Sequence, residues 1–80
     1  MTSGDRWWII SPMPLAFDHH EARRLRLERD ITVADAAEAL GITRQGLAKI
    51  EAGTSEPRAS TAFALAELLG VEARELWVAS

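Results

Sequence analysis

Arg44, Gln45 and Lys49 bring a guanidinium, an amide and an ammonium into six consecutive residues with no acidic residue between them. A guanidinium forms paired hydrogen bonds with the two acceptors of guanine, an amide does so with adenine, and an ammonium meets a base or a phosphate oxygen. In a helix, spacings of one, four and five place these three side chains and Ala48 on one face. Leu47 and Ile50, three apart, share the other face. Side chains of this kind can read the edges of base pairs, provided that a helix is held from behind by its apolar side.

The elements that must hold it are written on both sides. Thr32 caps a helix that has Asp35 in its first turn and runs to Leu40, and Gly41 can take the left-handed conformation that ends it. Thr43 caps the next helix, which runs to about Ala52 and stops at Gly53. Two short helices joined by so tight a turn form a helix-turn-helix, with the small Ala37 where the two must approach. Gly46 is unusual at an exposed helix position, where glycine costs about 1 kcal/mol against alanine. Either it lets the backbone approach DNA closely or it is simply tolerated.

Asp18, with Glu21 three residues later, opens a first helix that runs to about Arg29 with Ala22 and Leu25 inward. After the loop from Thr54 to Pro57, a fourth helix carries Ala59, Ala62, Phe63, Ala66 and Leu69 on one side until Gly70. A fifth, short helix is predicted from Glu72 to Ala79. Upstream, Trp7 to Ile10 is a strand-like run closed off by Ser11-Pro12-Met13-Pro14. The expected architecture is therefore all-α, a compact five-helix bundle at residues 18–80 preceded by an arm at residues 1–17.

Eighty residues make one small domain, near the size at which a single core barely suffices and a dimer would help. Without cysteine there is no disulfide framework and no thiolate metal site, and zinc-finger readings fall away. The run from Trp7 to Ile10 is far too short to cross a bilayer or to form the core of a signal peptide, so a cytoplasmic protein is expected. His19, His20 and Glu21 are metal-ligand types. Adjacent helical residues point about 100° apart, however, and nothing completes a site, so no metal is expected. No nucleophile turn, phosphate loop or cofactor motif is visible, and neither an enzyme nor a small-molecule ligand is expected.

The net charge of −3 is unpromising for a nucleic-acid binder, but its distribution matters more than its sum. Arg23, Arg24, Arg26 and Arg29 outnumber Glu21 and Glu28 on the first helix, while acid gathers at Glu67, Glu72 and Glu75. This predicts a basic end and an acidic end. Arg26 and Glu51 both fall on the inward sides of their helices by spacing from Ala22 and Leu47.

From about Ala22 to Trp77 the chain resembles the Cro/repressor-type, XRE-like helix-turn-helix family. The resemblance rests on Leu25-Arg26, Ile31-Thr32, Ala37, Leu40-Gly41-Ile42-Thr43, Leu47, Ile50-Glu51, Gly53, Pro57, Leu69-Gly70-Val71 and Leu76-Trp77, in the family's order and spacing. It implies a five-helix bundle and a bacterial or phage transcriptional regulator that binds double-stranded DNA as a dimer. Carried over by position, Thr43, Arg44, Gln45 and Lys49 would enter the major groove, and Arg26 and Glu51 would form an ion pair. The family often has a phosphate-binding glutamine where this chain has Val33. The backbone N–H groups at that helix start and the Thr32 hydroxyl would then hold the phosphate, with Ser55 and Arg58 compensating. Arg58 stands where the family usually has a capping serine.

Apolar residues exceed what one core can face. Leu68 adjoins Leu69, Trp77 adjoins Leu76, Leu27 lies about 200° from Leu25, and the arm adds Trp7, Trp8, Ile9 and Ile10. A homodimer interface using the arm, Leu68 and Trp77 would absorb the surplus, unless the arm folds back over its own Leu27. The sequence thus predicts a sequence-specific regulator, a repressor or autoregulator, acting as a homodimer on a palindromic operator. The alternative is a protein-interaction module, such as an antitoxin-like partner, built on the same fold.

Overall fold

Local capping decides where each helix begins and ends in the computed structural model, which describes residues 15–79. The Asp18 carboxylate accepts from the Glu21 backbone N–H at 3.1 Å and starts α1, His19–Glu28. The Thr32 hydroxyl accepts from Asp35 N–H at 3.0 Å and starts α2, Val33–Leu40. Thr43 does the same for Gly46 N–H at 2.9 Å and starts α3, Arg44–Ala52. The fourth helix, α4, spans Ala59–Leu69. No helix among the described residues is long and apolar enough to cross a membrane.

The expected fifth helix is absent, and the described residues form four α-helices. Ala73–Leu76 forms a single 3₁₀ turn, and Trp77–Ala79 is a strand, β2, antiparallel to β1 at Leu15–Phe17. Eight residues are too few to sustain a helix unaided, and β1 supplies backbone partners that a helix at this position could not use. The register pairs Leu15 with Ala79, Ala16 with Val78 and Phe17 with Trp77. The rings of that last pair meet edge to face at 5.4 Å between centroids. β1 falls within the segment read as the arm, while Trp7, Trp8, Ile9 and Ile10 lie outside the described residues.

A second expectation fails on α4. Phe63 is 61% exposed, and the inward stripe is Ala62, Leu65, Ala66 and Leu69. Both sets have helical spacing, but only the stripe centred on Leu65 aims at the remaining core. That core joins Phe17, Ala22, Leu25, Ile50 and Leu76 to the α4 stripe. A smaller cluster of Ala36, Ala37 and Leu47 fills the corner between α2 and α3. Ala37 is buried there, and the absence of a larger side chain lets α3 approach α2.

Among the described residues, Arg26 and Glu51 are the two charged groups buried with these apolar side chains. Arg26 Nε donates to Glu51 Oε2 at 2.7 Å and Nη2 to Oε1 at 2.9 Å, a two-pronged pair between α1 and α3. Arg26 Nη1 also donates to the Ile31 carbonyl at 2.8 Å, which fixes the link from α1 to α2. The hydrogen bonds that Arg26 donates to Glu51 hold its guanidinium above its ordinary pKa, outweighing the opposing effect of burial. Removal of one partner leaves an uncompensated charge in the core. Arg26→Met or Glu51→Leu alone should therefore cost about 3–5 kcal/mol, and the double variant much less than the sum. Urea unfolding of the four proteins measures the coupling, and additive costs would show that the pair contributes nothing as a pair.

Candidate nucleic-acid interface

The turn between α2 and α3 is built from backbone. Gly41 at φ +71° lets its own N–H donate to Glu38 O at 3.1 Å and Ile42 N–H to Ala37 O at 3.0 Å, closing α2. Ile42, half-buried, packs against both core clusters, and Thr43 follows directly as the cap of α3. Three residues therefore set the angle between the helices. Leu47, Ile50 and Glu51 face inward, and Thr43, Arg44, Gln45, Ala48 and Lys49 are exposed. Neither Arg44 nor Lys49 has a carboxylate partner among the described residues.

The residues expected to hold phosphate divide. Thr32 is exposed at the start of α2; its oxygen accepts from Asp35 N–H, which leaves the hydroxyl proton free to donate outward. Val33 is half-buried against the Ala36, Ala37 and Leu47 cluster, so its side chain is a packing group and only its backbone N–H faces the helix start. Ser55 and Arg58 are exposed and line one groove with Gly46, running between the α2–α3 turn and the loop after α3. Glu56 lines the same groove and opposes a phosphate approaching there. Of the residues expected in an apolar interface, Leu68 is half-buried against both clusters and Trp77 is half-buried over Phe17.

The basic end expected on α1 is largely cancelled. Arg24 bonds Glu21 at 2.7 Å and Glu28 at 3.0 Å, Arg29 reaches Glu28 at 3.3 Å, and Arg26 is consumed by Glu51. The bond from Arg24 holds the Glu21 carboxyl below its ordinary pKa. Only Arg23 on this helix lacks a carboxylate among the described residues. Carboxylates at three and four positions along the same helix make this unavoidable. Among the described residues, the cations without a carboxylate partner are Arg44 and Lys49 on α3 together with Arg23, Arg58 and Arg74.

Sequence reasoning missed His19. Its Nδ1 lies 3.0 Å from the Glu51 carbonyl, to which it donates, tying the start of α1 to the end of α3. The ring covers Gly53, whose φ of +82° ends α3, and a Cβ there would lie 2.6 Å from the ring Nε2. Gly53 is thus required twice, for its backbone and for the imidazole above it. No local pattern signals a contact across 32 residues. Among the described residues, no three His, Cys, Asp or Glu side chains gather as a metal-ligand set.

A helix-turn-helix family model matches residues 23–76. The chain belongs to the Cro/repressor-type helix-turn-helix family. No curated protein sequence matches it. The fold is similar to that of the P22 c2 repressor solved with a synthetic operator, with a TM-score of 0.71 and 20% identity over 76% of this chain and 92% of that one. SinR, the master regulator for biofilm formation, solved with DNA, gives 0.67 and 20% over 72% and 94%. The SinR/SinI complex gives 0.68 and 20%, over 74% of this chain and 58% of that one.

Within this helix-turn-helix domain one helix start is left open. Arg58 occupies the cap position of α4 and makes no side-chain capping bond. A serine there would accept from an orphan backbone N–H, which is worth about 0.5–2 kcal/mol. Arg58→Ser should raise the thermal midpoint by several degrees, as calorimetry would show. An unchanged midpoint would mean that the arginine already stabilises this end by another route.

Proposed function

We propose that the protein is a sequence-specific, DNA-binding transcriptional regulator, a repressor or autoregulator, that lays α3 in the major groove of a palindromic operator as a homodimer. The observation that carries this reading is the outward face of α3, where Arg44, Gln45 and Lys49 project without carboxylate partners from a helix buried along its other side. The family membership and the two similar folds solved with operator or DNA support it.

Each residue then has a role. Arg44 and Gln45, in the first turn, offer paired hydrogen bonds to guanine and adenine, and Thr43 lies beside them at the groove floor. Lys49, one turn further, reaches a base or a phosphate. The Thr32 hydroxyl and the first N–H groups of α2, including that of Val33, hold one phosphate; Ser55 and Arg58 hold another across the groove. Two copies related by a two-fold axis would present their α3 helices about 34 Å apart, one helical turn of DNA. In this reading Leu68, Trp77 and the arm residues Trp7 to Ile10 form the dimer contact.

One observation favours a protein-binding module instead. Val33, where the resembled family often has a phosphate-binding glutamine, is spent on packing. Electrophoretic shift on selected DNA separates the two readings, because a pure protein-binding module would retard no fragment. At the preferred sequence, Arg44→Ala should weaken binding by about 1–3 kcal/mol while leaving non-specific binding nearly unchanged. Equal loss for all sequences would make Arg44 a phosphate contact. Lys49→Ala, if the lysine holds a phosphate, should flatten the slope of log K against log salt by about one with sequence preference intact.

A further inference from the structure

Beneath the end of the β1–β2 ribbon, a cleft of about 570 Å³ is lined by Leu15, Phe63, Ala73, Arg74 and Trp77. Leu15 is 66% exposed and Phe63 61%, so two large apolar side chains stand in solvent beside a half-buried tryptophan. The cleft lies on the ribbon and the outer side of α4, and none of its lining belongs to α3. An open apolar surface of this kind on a small domain calls for an occupant. Arg74, the charged group at the rim, suits an indole face, against which a guanidinium stacks favourably.

The chain itself carries such an occupant in Trp7-Trp8-Ile9-Ile10, joined to Leu15 by Ser11-Pro12-Met13-Pro14. Those four residues resist a tight reversal. With Pro12 at the second turn position, a type I turn needs Met13 near φ −90°, ψ 0°, a region that the following Pro14 disfavours. A type II turn needs Met13 at positive φ, which its side chain disfavours. The sequence of the linker thus disfavours a return of the arm to its own cleft.

We propose that the Leu15–Phe63–Trp77 cleft of one protomer receives Trp7 to Ile10 of a second copy, in a reciprocal exchange of arms. This deepens the homodimer reading and rests on it. Two arms bring four tryptophans, each able to bury about 150–250 Å², and with the surface they cover the contact reaches the roughly 1,200 Å² at which specific interfaces begin. Exchange of this kind adds no new element to the fold, only a different owner for an existing segment.

The test uses full-length chains in sedimentation at micromolar concentration, with circular dichroism to verify helix content. Phe63→Glu alters an exposed position on α4, and Trp7→Ala/Trp8→Ala lies outside the helices. The wild type should be a dimer. Each variant should be folded with a dimer constant weakened about 100-fold or more, as expected for loss of aromatic anchors. An equimolar mixture of the two variants should recover a heterodimer, since one intact arm then meets one intact cleft. Failure of the mixture to pair, or a dimer that survives loss of both tryptophans, would overturn the exchange. So would a wild-type monomer whose tryptophan emission is blue-shifted and reverts in Phe63→Glu, because that places the arm in its own cleft. If the wild-type dimer forms and exchanges arms but retards no DNA, the regulator reading fails and the exchange stands.

Discussion

The Arg26–Glu51 pair is the joint on which the arrangement of α3 depends. One guanidinium spends all of its bonding on two places, the Glu51 carboxylate at the end of α3 and the Ile31 carbonyl before α2. Both helices of the motif are thereby referred to the same point on α1. Their relative angle is set separately by the Gly41–Thr43 turn and by the Ala36, Ala37 and Leu47 corner. A charge pair at this depth adds little net energy over an apolar filling, but it admits one geometry and tolerates few others. His19 adds a second fixed bond to the same end of α3, through the Glu51 carbonyl.

With its inner face so constrained, α3 has an outer face that is nearly independent of the fold. Thr43, Arg44, Gln45 and Lys49 are exposed and contribute little to the core, so they can vary without unfolding the domain. Thr43 is the exception, because its hydroxyl also caps the helix. The same hydroxyl bears on Gly46, where a Cβ would lie 3.1 Å from the Thr43 oxygen. An alanine there would gain helix propensity and crowd the cap, two effects of similar size and opposite sign.

Features set by neighbours in sequence were legible, and features set across the chain were not. The caps at Asp18, Thr32 and Thr43 and the stop at Gly41 each depend on residues within a few positions, and the structure has all of them. The inward placement of Arg26 and Glu51 followed from helical spacing alone. β2 reads as helix in the sequence because its partner, β1, lies some 60 residues upstream. Helical spacing puts Phe63 inward because two overlapping stripes on α4 share the same period, and only the shape of the rest of the core distinguishes them. The cancellation of the α1 arginines was legible in principle, since Glu21, Arg24 and Glu28 stand at helical contact spacing. Summing charge over a region concealed pairing within it.

The ribbon that joins Phe17 to Trp77 has a kinetic consequence. It closes a loop of about 60 residues, whereas the α2–α3 corner closes one of roughly ten, and the difference in chain entropy is on the order of 1.5 kcal/mol. The corner can therefore assemble early from local contacts, and the ribbon zips only after the helices have brought its ends together. On the way out the order reverses. Leu15 and Val78 toward the ribbon's outer end are exposed while Phe17 is buried, so the ribbon should fray from that end while the helix-turn-helix stays intact.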